Sequence, residues 1–123
     1  MELITTKVCM KGDIGVHGNL FGGTMLAWLD EAGAAFACEK AQSTHMVTRL
    51  MNKVEFSRPV KVGRIVKIYG EVLQMGTTSL TIKLKARSYN PHSGRMKSVC
   101  TTEMVFVRID DDGEPLKIVL DNS

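Results

Sequence analysis

Asp13-Ile-Gly-Val-His-Gly-Asn-Leu-Phe-Gly-Gly-Thr-Met-Leu-Ala-Trp-Leu-Asp-Glu-Ala-Gly-Ala-Ala35 is the stretch on which the reading of this chain turns. Its first part is broken by Gly15 and Gly18 and reads as a loop. Gly22-Gly23-Thr24 then opens a helix expected to run to about Lys40, with Thr24 as its N-cap. The helix is apolar almost all round, so it has to be buried, yet it carries an acid, Asp30, in its middle. An ionised carboxylate is costly to bury without partners, so something other than packing keeps Asp30 in place.

Outward from this helix the chain is strand-forming. Leu3, Ile4 and Val8 point to a first strand before the loop. Residues 45–57, 62–74, 79–89 and 96–109 read as four long strands, with a bulge expected at Gly70. The third of these alternates cleanly, Leu80, Ile82, Leu84 and Ala86 on one face and Thr81, Lys83, Lys85 and Arg87 on the other. Turns are expected at Met75–Thr78, at Asn90-Pro91-His92-Ser93-Gly94 and at Asp110-Asp111-Asp112-Gly113, the last leading into a short strand near Leu116–Val119. One strand, one long apolar helix, four strands and a tail make an α+β domain. A single antiparallel sheet of five to six strands wrapped around the helix would bury it.

Composition narrows the function. At 123 residues the chain is one domain, and 44% apolar and 24% charged residues are ordinary for a globular protein. A net charge of +3 is too mild for a nucleic-acid binder. No apolar run is long enough to cross a bilayer and no secretory signal is evident, so a cytoplasmic protein without membrane contact is expected. Cys9, Cys38 and Cys100 are odd in number and widely spaced, which suits reduced thiols rather than a disulfide framework or a zinc site. His17, His45 and His92 give no metal spacing, and the Asp110–Asp112 run lacks the later ligands of a calcium loop. No metal is expected.

With Gly18-Asn-Leu-Phe-Gly-Gly-Thr24 at the mouth of the helix and Trp28-Leu-Asp-Glu-Ala-Gly33 within it, the chain closely resembles the hotdog-fold acyl-CoA thioesterases, especially the bacterial broad-range and cytosolic brain-type acyl-CoA hydrolases. Val54-Glu-Phe-Ser-Arg-Pro-Val-Lys-Val-Gly63 matches the family's strand exit, and Gly76-Thr77-Thr78-Ser79 the turn before its next strand. The resemblance covers roughly residues 10–110 and implies a single hotdog domain, 1–123, that hydrolyses acyl-CoA to free acid and coenzyme A. It implies no cofactor beyond the coenzyme A of the substrate itself. It also implies a homo-oligomer, a dimer at least and a tetramer or hexamer by expectation, with sites at the seam between protomers.

The resemblance assigns Asp30 the role of general base or nucleophile, and desolvation of a carboxylate near a subunit seam would suit acid–base chemistry. Glu31 lies about 100° further round the helix and reads as a solvated or interfacial charge. Gly22 and Gly23 would present helix N-terminal amides to the thioester oxygen as an oxyanion hole. Arg58 and the Gly76, Thr77, Thr78, Ser79 turn are the implied coenzyme A contacts, drawn from a basic inventory that also includes Lys61, Arg64, Lys67, Lys83, Lys85, Arg87, Arg95 and Lys97. One departure stands out: Gly15 occupies the place where the family carries an Asn. Either Asn19 or His17 supplies the missing polar contact, or the activity is altered. Two rival readings are a non-catalytic acyl-CoA sensor and a hydroxyacyl-thioester dehydratase, for which only His17 is available.

Overall fold

The computed structural model describes residues 1–121. Strand β1 (Glu2–Val8) is followed by a short 3-10 turn at Lys11–Asp13, helix α1 (Gly22–Ala41), and strands β2 (Met46–Phe56), β3 (Ile65–Met75), β4 (Ser79–Tyr89) and β5 (Met96–Arg108). The five strands form one antiparallel sheet in the order β1-β3-β4-β5-β2. The helix packs against one face of this sheet and touches every strand. Among the described residues no helix is long and apolar enough to cross a membrane.

The core forms where the period-2 faces of the strands meet one stripe of the helix. Leu80, Ile82, Leu84 and Ala86 of β4 are fully buried, as the alternation requires, and Met104 and Phe106 of β5 join them. From the helix come Met25, Leu29, Ala32, Gly33, Phe36, Ala37 and Ala41, spaced at the turns of a single face. Two glycines let helix and sheet approach. A Cβ on Gly33 would lie 3.1–3.2 Å from Leu84, Met104 and Phe106, and one on Gly70 would lie 3.3 Å from Phe36 and 2.7 Å from Ile4.

Four expectations are corrected. Gly70 is not a bulge: it pairs in register with Leu84, and the irregularity in β3 falls between Val72 and Gln74. Gly70 is needed for the space its missing side chain leaves to Phe36 and Ile4. The helix begins at Gly22 with Phe21 as N-cap, so Thr24 lies inside the first turn and caps nothing. There is no terminal strand at residues 116–119, because successive amides bond different neighbours. Leu116 N–H donates to the Arg108 carbonyl at 2.8 Å and Ile118 N–H to the Thr77 carbonyl at 2.8 Å. Finally, the sheet covers only one face of the helix, and Ala27, Asp30, Glu31 and Ala35 remain exposed. A helix apolar almost all round is thus left with an open face, and β2, an edge strand, itself exposes Val47, Leu50, Val54 and Phe56.

Candidate active site

Asp30 projects from the middle of α1 toward β2 and is exposed to solvent in the protomer. The burial expected of it is therefore not supplied by its own sheet. Its Oδ1 accepts a hydrogen bond of 2.6 Å from Thr48 Oγ1 of β2. Thr48 is brought there by local geometry: the β2–β5 register slips at Arg49, between the Thr48–Phe106 and Leu50–Val105 pairs. A bulge of this kind bends the strand and re-aims its side chains. Glu31, one residue on, points to the other flank and forms a solvent-exposed ion pair with Lys7 of β1 at 3.6 Å. Because β1 and β2 are opposite edges of the sheet, a single residue step on the helix separates a charge held on one edge from a carboxylate held on the other.

The helix start forms a second centre. A cavity of about 330 Å³ is lined by Asn19, Gly22, Met25, Phe56, Arg58 and Val99, among others. Its walls are mostly aliphatic and aromatic carbon, with a few polar groups at the rim. The amides of the first helical turn have no acceptor within the helix, and the N-cap is Phe21, which has no side-chain oxygen to bind them. A Ser or Asp cap would have taken one of these donors; here none is taken by a capping side chain next to the cavity. Gly22 lines the cavity, and a side chain there would abut the Phe56 ring at 3.7 Å. Asn19 sits beside Gly22 in the same wall, its backbone bridged to Lys61. Arg58 reaches the cavity with Nη1 donating to the Ser98 carbonyl at 2.7 Å.

Several expected site residues are thereby gathered and others are not. Asn19, Gly22 and Arg58 share one cavity. Asp30 is eight residues beyond Gly22, about 12 Å along the helix axis, so the two cannot touch one thioester carbonyl within a single protomer. The Gly76–Ser79 turn is further still. It follows β3 beside Val107, whereas Arg58 binds Ser98, nine residues back along β5 and about 30 Å away. The turn is also structurally occupied, since the Thr77 and Thr78 carbonyls accept the amides of Ile118 and Arg108.

Gly15 has its N–H on the Asn19 carbonyl at 2.8 Å, which closes the 15–19 loop, and a Cβ at Gly15 would meet only the exposed Phe21 ring, at 3.3 Å. His17 is exposed in this loop and forms no ion pair with a carboxylate among the described residues. Thr48 escaped the sequence reading. Nothing in its local sequence marks it, because its role depends on which strand lies beside Asp30. The Asp110 loop is a turn whose Asp110 Oδ1 accepts the amides of Asp112 and Glu114, each at 2.9 Å. Among the described residues no three His, Cys, Asp or Glu side chains converge to hold a metal ion.

This geometry has close counterparts. The fold matches a solved hexameric broad-specificity acyl-coenzyme A thioesterase, HI0827, in an Asp-to-Ala variant, with a TM-score of 0.91 at 28% identity over 98% of this chain and 88% of that one. It also matches the Staphylococcus aureus acyl-CoA hydrolase solved with butyryl coenzyme A and coenzyme A, at a TM-score of 0.87 and 27% identity over 93% of this chain and 69% of that one. In sequence it is 33% identical over 120 residues to the acyl-CoA thioester hydrolase YciA of Escherichia coli K12, covering 93% of this chain and 88% of the relative. The family model described as the thioesterase superfamily matches residues 17–94, which span the end of the loop, the helix and strands β2, β3 and β4 up to the β4–β5 hairpin. The chain belongs to the thioesterase superfamily.

Proposed function

We propose that the protein hydrolyses acyl-CoA thioesters to a free carboxylic acid and coenzyme A, with Asp30 as the general base. The observation that carries the assignment is Asp30 itself: a carboxylate on a thioesterase helix, open to water on one side and gripped through Oδ1 by Thr48 on the other. With Oδ1 engaged, Oδ2 is left to take a proton from water as its oxygen adds to the thioester carbonyl carbon. The resulting oxyanion is stabilised by the amides of Gly22 and Gly23, assisted by Asn19 in place of the family's Asn at position 15. Collapse expels the coenzyme A sulfur, which leaves with the proton returned from Asp30.

The 12 Å between Asp30 and the helix start supports a site that draws on two protomers. Two copies joined through their β2 edges would pair the unsatisfied strand edge, cover Val47, Leu50, Val54 and Phe56, and lay two helices side by side. Asp30 of one copy would then face the helix start of the other. A dimer is the minimum active unit, and a hexamer, as in the HI0827 thioesterase, is its proposed assembly in the cytoplasm.

Release of free thiol from a panel of acyl-CoAs tests this reading. Asp30→Asn should lower kcat by at least about 10²-fold, the usual contribution of a positioned base, and Asn19→Ala should lower it less. Full activity in Asp30→Asn would remove the base assignment. Tight acyl-CoA binding without turnover at any chain length would favour the sensor.

A further inference from the structure

Residues 56–70 and 84–102 carry Arg58, Lys61, Arg64, Lys67, Lys85, Arg87, Arg95 and Lys97, eight of the chain's 16 basic residues, and none of its 13 acidic ones. The remaining eight bases face 13 acids, so the rest of the chain is acidic although the whole carries +3. Folding concentrates this charge. The segment from Pro59 to Arg64 and the β4–β5 hairpin form the walls of a groove of about 750 Å³ into which Lys61, Arg64, Arg95 and Lys97 all project a surface.

These four cations are exposed, and none forms an ion pair among the described residues, where the ion-paired lysines are Lys7, Lys40 and Lys53. Their sequence neighbours are engaged differently, Lys67 over the Tyr89 ring at 4.8 Å and Arg87 over the Tyr69 ring at 5.0 Å. The hairpin that carries Arg95 is pinned by its own bonds: Asn90 N–H to the Arg95 carbonyl at 2.9 Å and Arg95 N–H to Ser93 Oγ at 3.2 Å. Four like charges gathered without a carboxylate repel one another, an arrangement relieved when an anion enters. The groove shares Pro59 and Val60 with the cavity that holds Asn19, Gly22 and Arg58, so an anion bound in it stands at the mouth of the candidate active site.

We propose that this groove clamps the phosphates of the coenzyme A portion of the substrate, with Lys61, Arg64, Arg95 and Lys97 as the phosphate-binding residues. The inference rests on the acyl-CoA hydrolase reading above and relocates phosphate recognition away from the Gly76–Ser79 turn. The acyl and pantetheine parts occupy the apolar cavity, and the pyrophosphate and ribose phosphate lie outside it among the cations. Guanidinium and ammonium donors to phosphate make charge-assisted hydrogen bonds worth about tenfold in affinity each.

The test compares butyryl-CoA with the butyryl thioester of N-acetylcysteamine, which has the same reacting group and no phosphate. Arg64→Ala/Lys97→Ala should raise KM for butyryl-CoA by at least about tenfold with kcat little changed, and leave kcat/KM for the short thioester as in the native protein. Lys11→Ala/Lys117→Ala, which removes the same charge outside the groove, should leave both substrates unaffected. An unchanged KM for butyryl-CoA, or an equal loss on both thioesters, would overturn the clamp. If the native protein hydrolyses neither thioester, the hydrolase reading fails and calorimetric titration with coenzyme A decides the groove by itself. Binding that disappears in Arg64→Ala/Lys97→Ala supports the clamp. Absent binding, or binding retained in the variant, overturns it.

Discussion

Thr48→Val isolates the contact that holds Asp30. Valine keeps the shape and strand preference of threonine and removes only the hydroxyl that donates to Asp30 Oδ1 at 2.6 Å. A hydrogen bond to a charged group is worth about 1.5–3 kcal/mol at most. Here both partners are exposed, so water replaces the lost donor and folding stability should fall by less than about 1 kcal/mol. Catalysis has no such substitute, because a carboxylate free to rotate spends less of its time aimed at the attacking water. If about 1.4–2.7 kcal/mol of orientation is lost, kcat falls by about tenfold to a hundredfold. KM should barely move, since Thr48 does not line the cavity that receives the substrate. Thr48→Ser keeps the donor and should recover most of kcat. The assay is thiol release at saturating and limiting acyl-CoA, with a thermal melt of each variant. The reasoning fails if Thr48→Val retains kcat within about twofold, if Ser is as impaired as Val, or if the loss of activity simply follows a loss of fold.

Two further predictions concern the core that positions this site. Gly33→Ala should destabilise the fold by about 1 kcal/mol, because overpacking at Leu84, Met104 and Phe106 (about 1–3 kcal/mol) outweighs the helix propensity gained (about 1 kcal/mol). All three neighbours are fully buried and cannot swing into solvent, so a melting temperature that rises in calorimetry would contradict the packing argument. Burial pushes the Cys100 thiol up from 9.0 to about 11. The unfolded chain therefore loses this proton near pH 9 while the folded chain keeps it to about pH 11. The folded state binds more protons in that window, so the contribution is complete below pH 9 and falls by on the order of 2 kcal/mol as pH rises through 11. Urea midpoints of native protein and Cys100→Ala should converge over that range; a gap independent of pH would refute the linkage.

Much of the fold was legible because its signals are local. The alternation at residues 80–86, the Pro-Gly-containing hairpin at 90–94 and the unbroken apolar helix each follow from periods of two or 3.6 residues read along the chain. Errors came where neighbours in space decide. Gly70 reads as a bulge from sequence alone, and only the approach of Phe36 and Ile4 shows that the glycine is there for room. The expected tail strand was lost because its amides bond β5 and the β3–β4 turn in succession rather than one ladder. Thr24 was a sound capping residue displaced by a helix whose N-cap, Phe21, lies three residues earlier.

For the site, sequence by itself determined the chemistry available: the acid Asp30 within an apolar helix, two glycines at its start, an amide beside them and a surplus of bases in two segments. These follow from residue type and spacing along one element. Tertiary structure decided which groups can meet. It set Thr48 against Asp30 through a strand slip, put Asn19, Gly22 and Arg58 around one cavity, and gathered Lys61, Arg64, Arg95 and Lys97 into one groove. It also separated Asp30 from the helix start, and Arg58 from the Gly76–Ser79 turn, by distances that no side chain spans. The physical reason is that a helix advances only about 1.5 Å per residue and a strand about 3.3 Å, so spacing within one element is calculable from sequence. Contact between elements depends on register, bulges and the order of strands in the sheet.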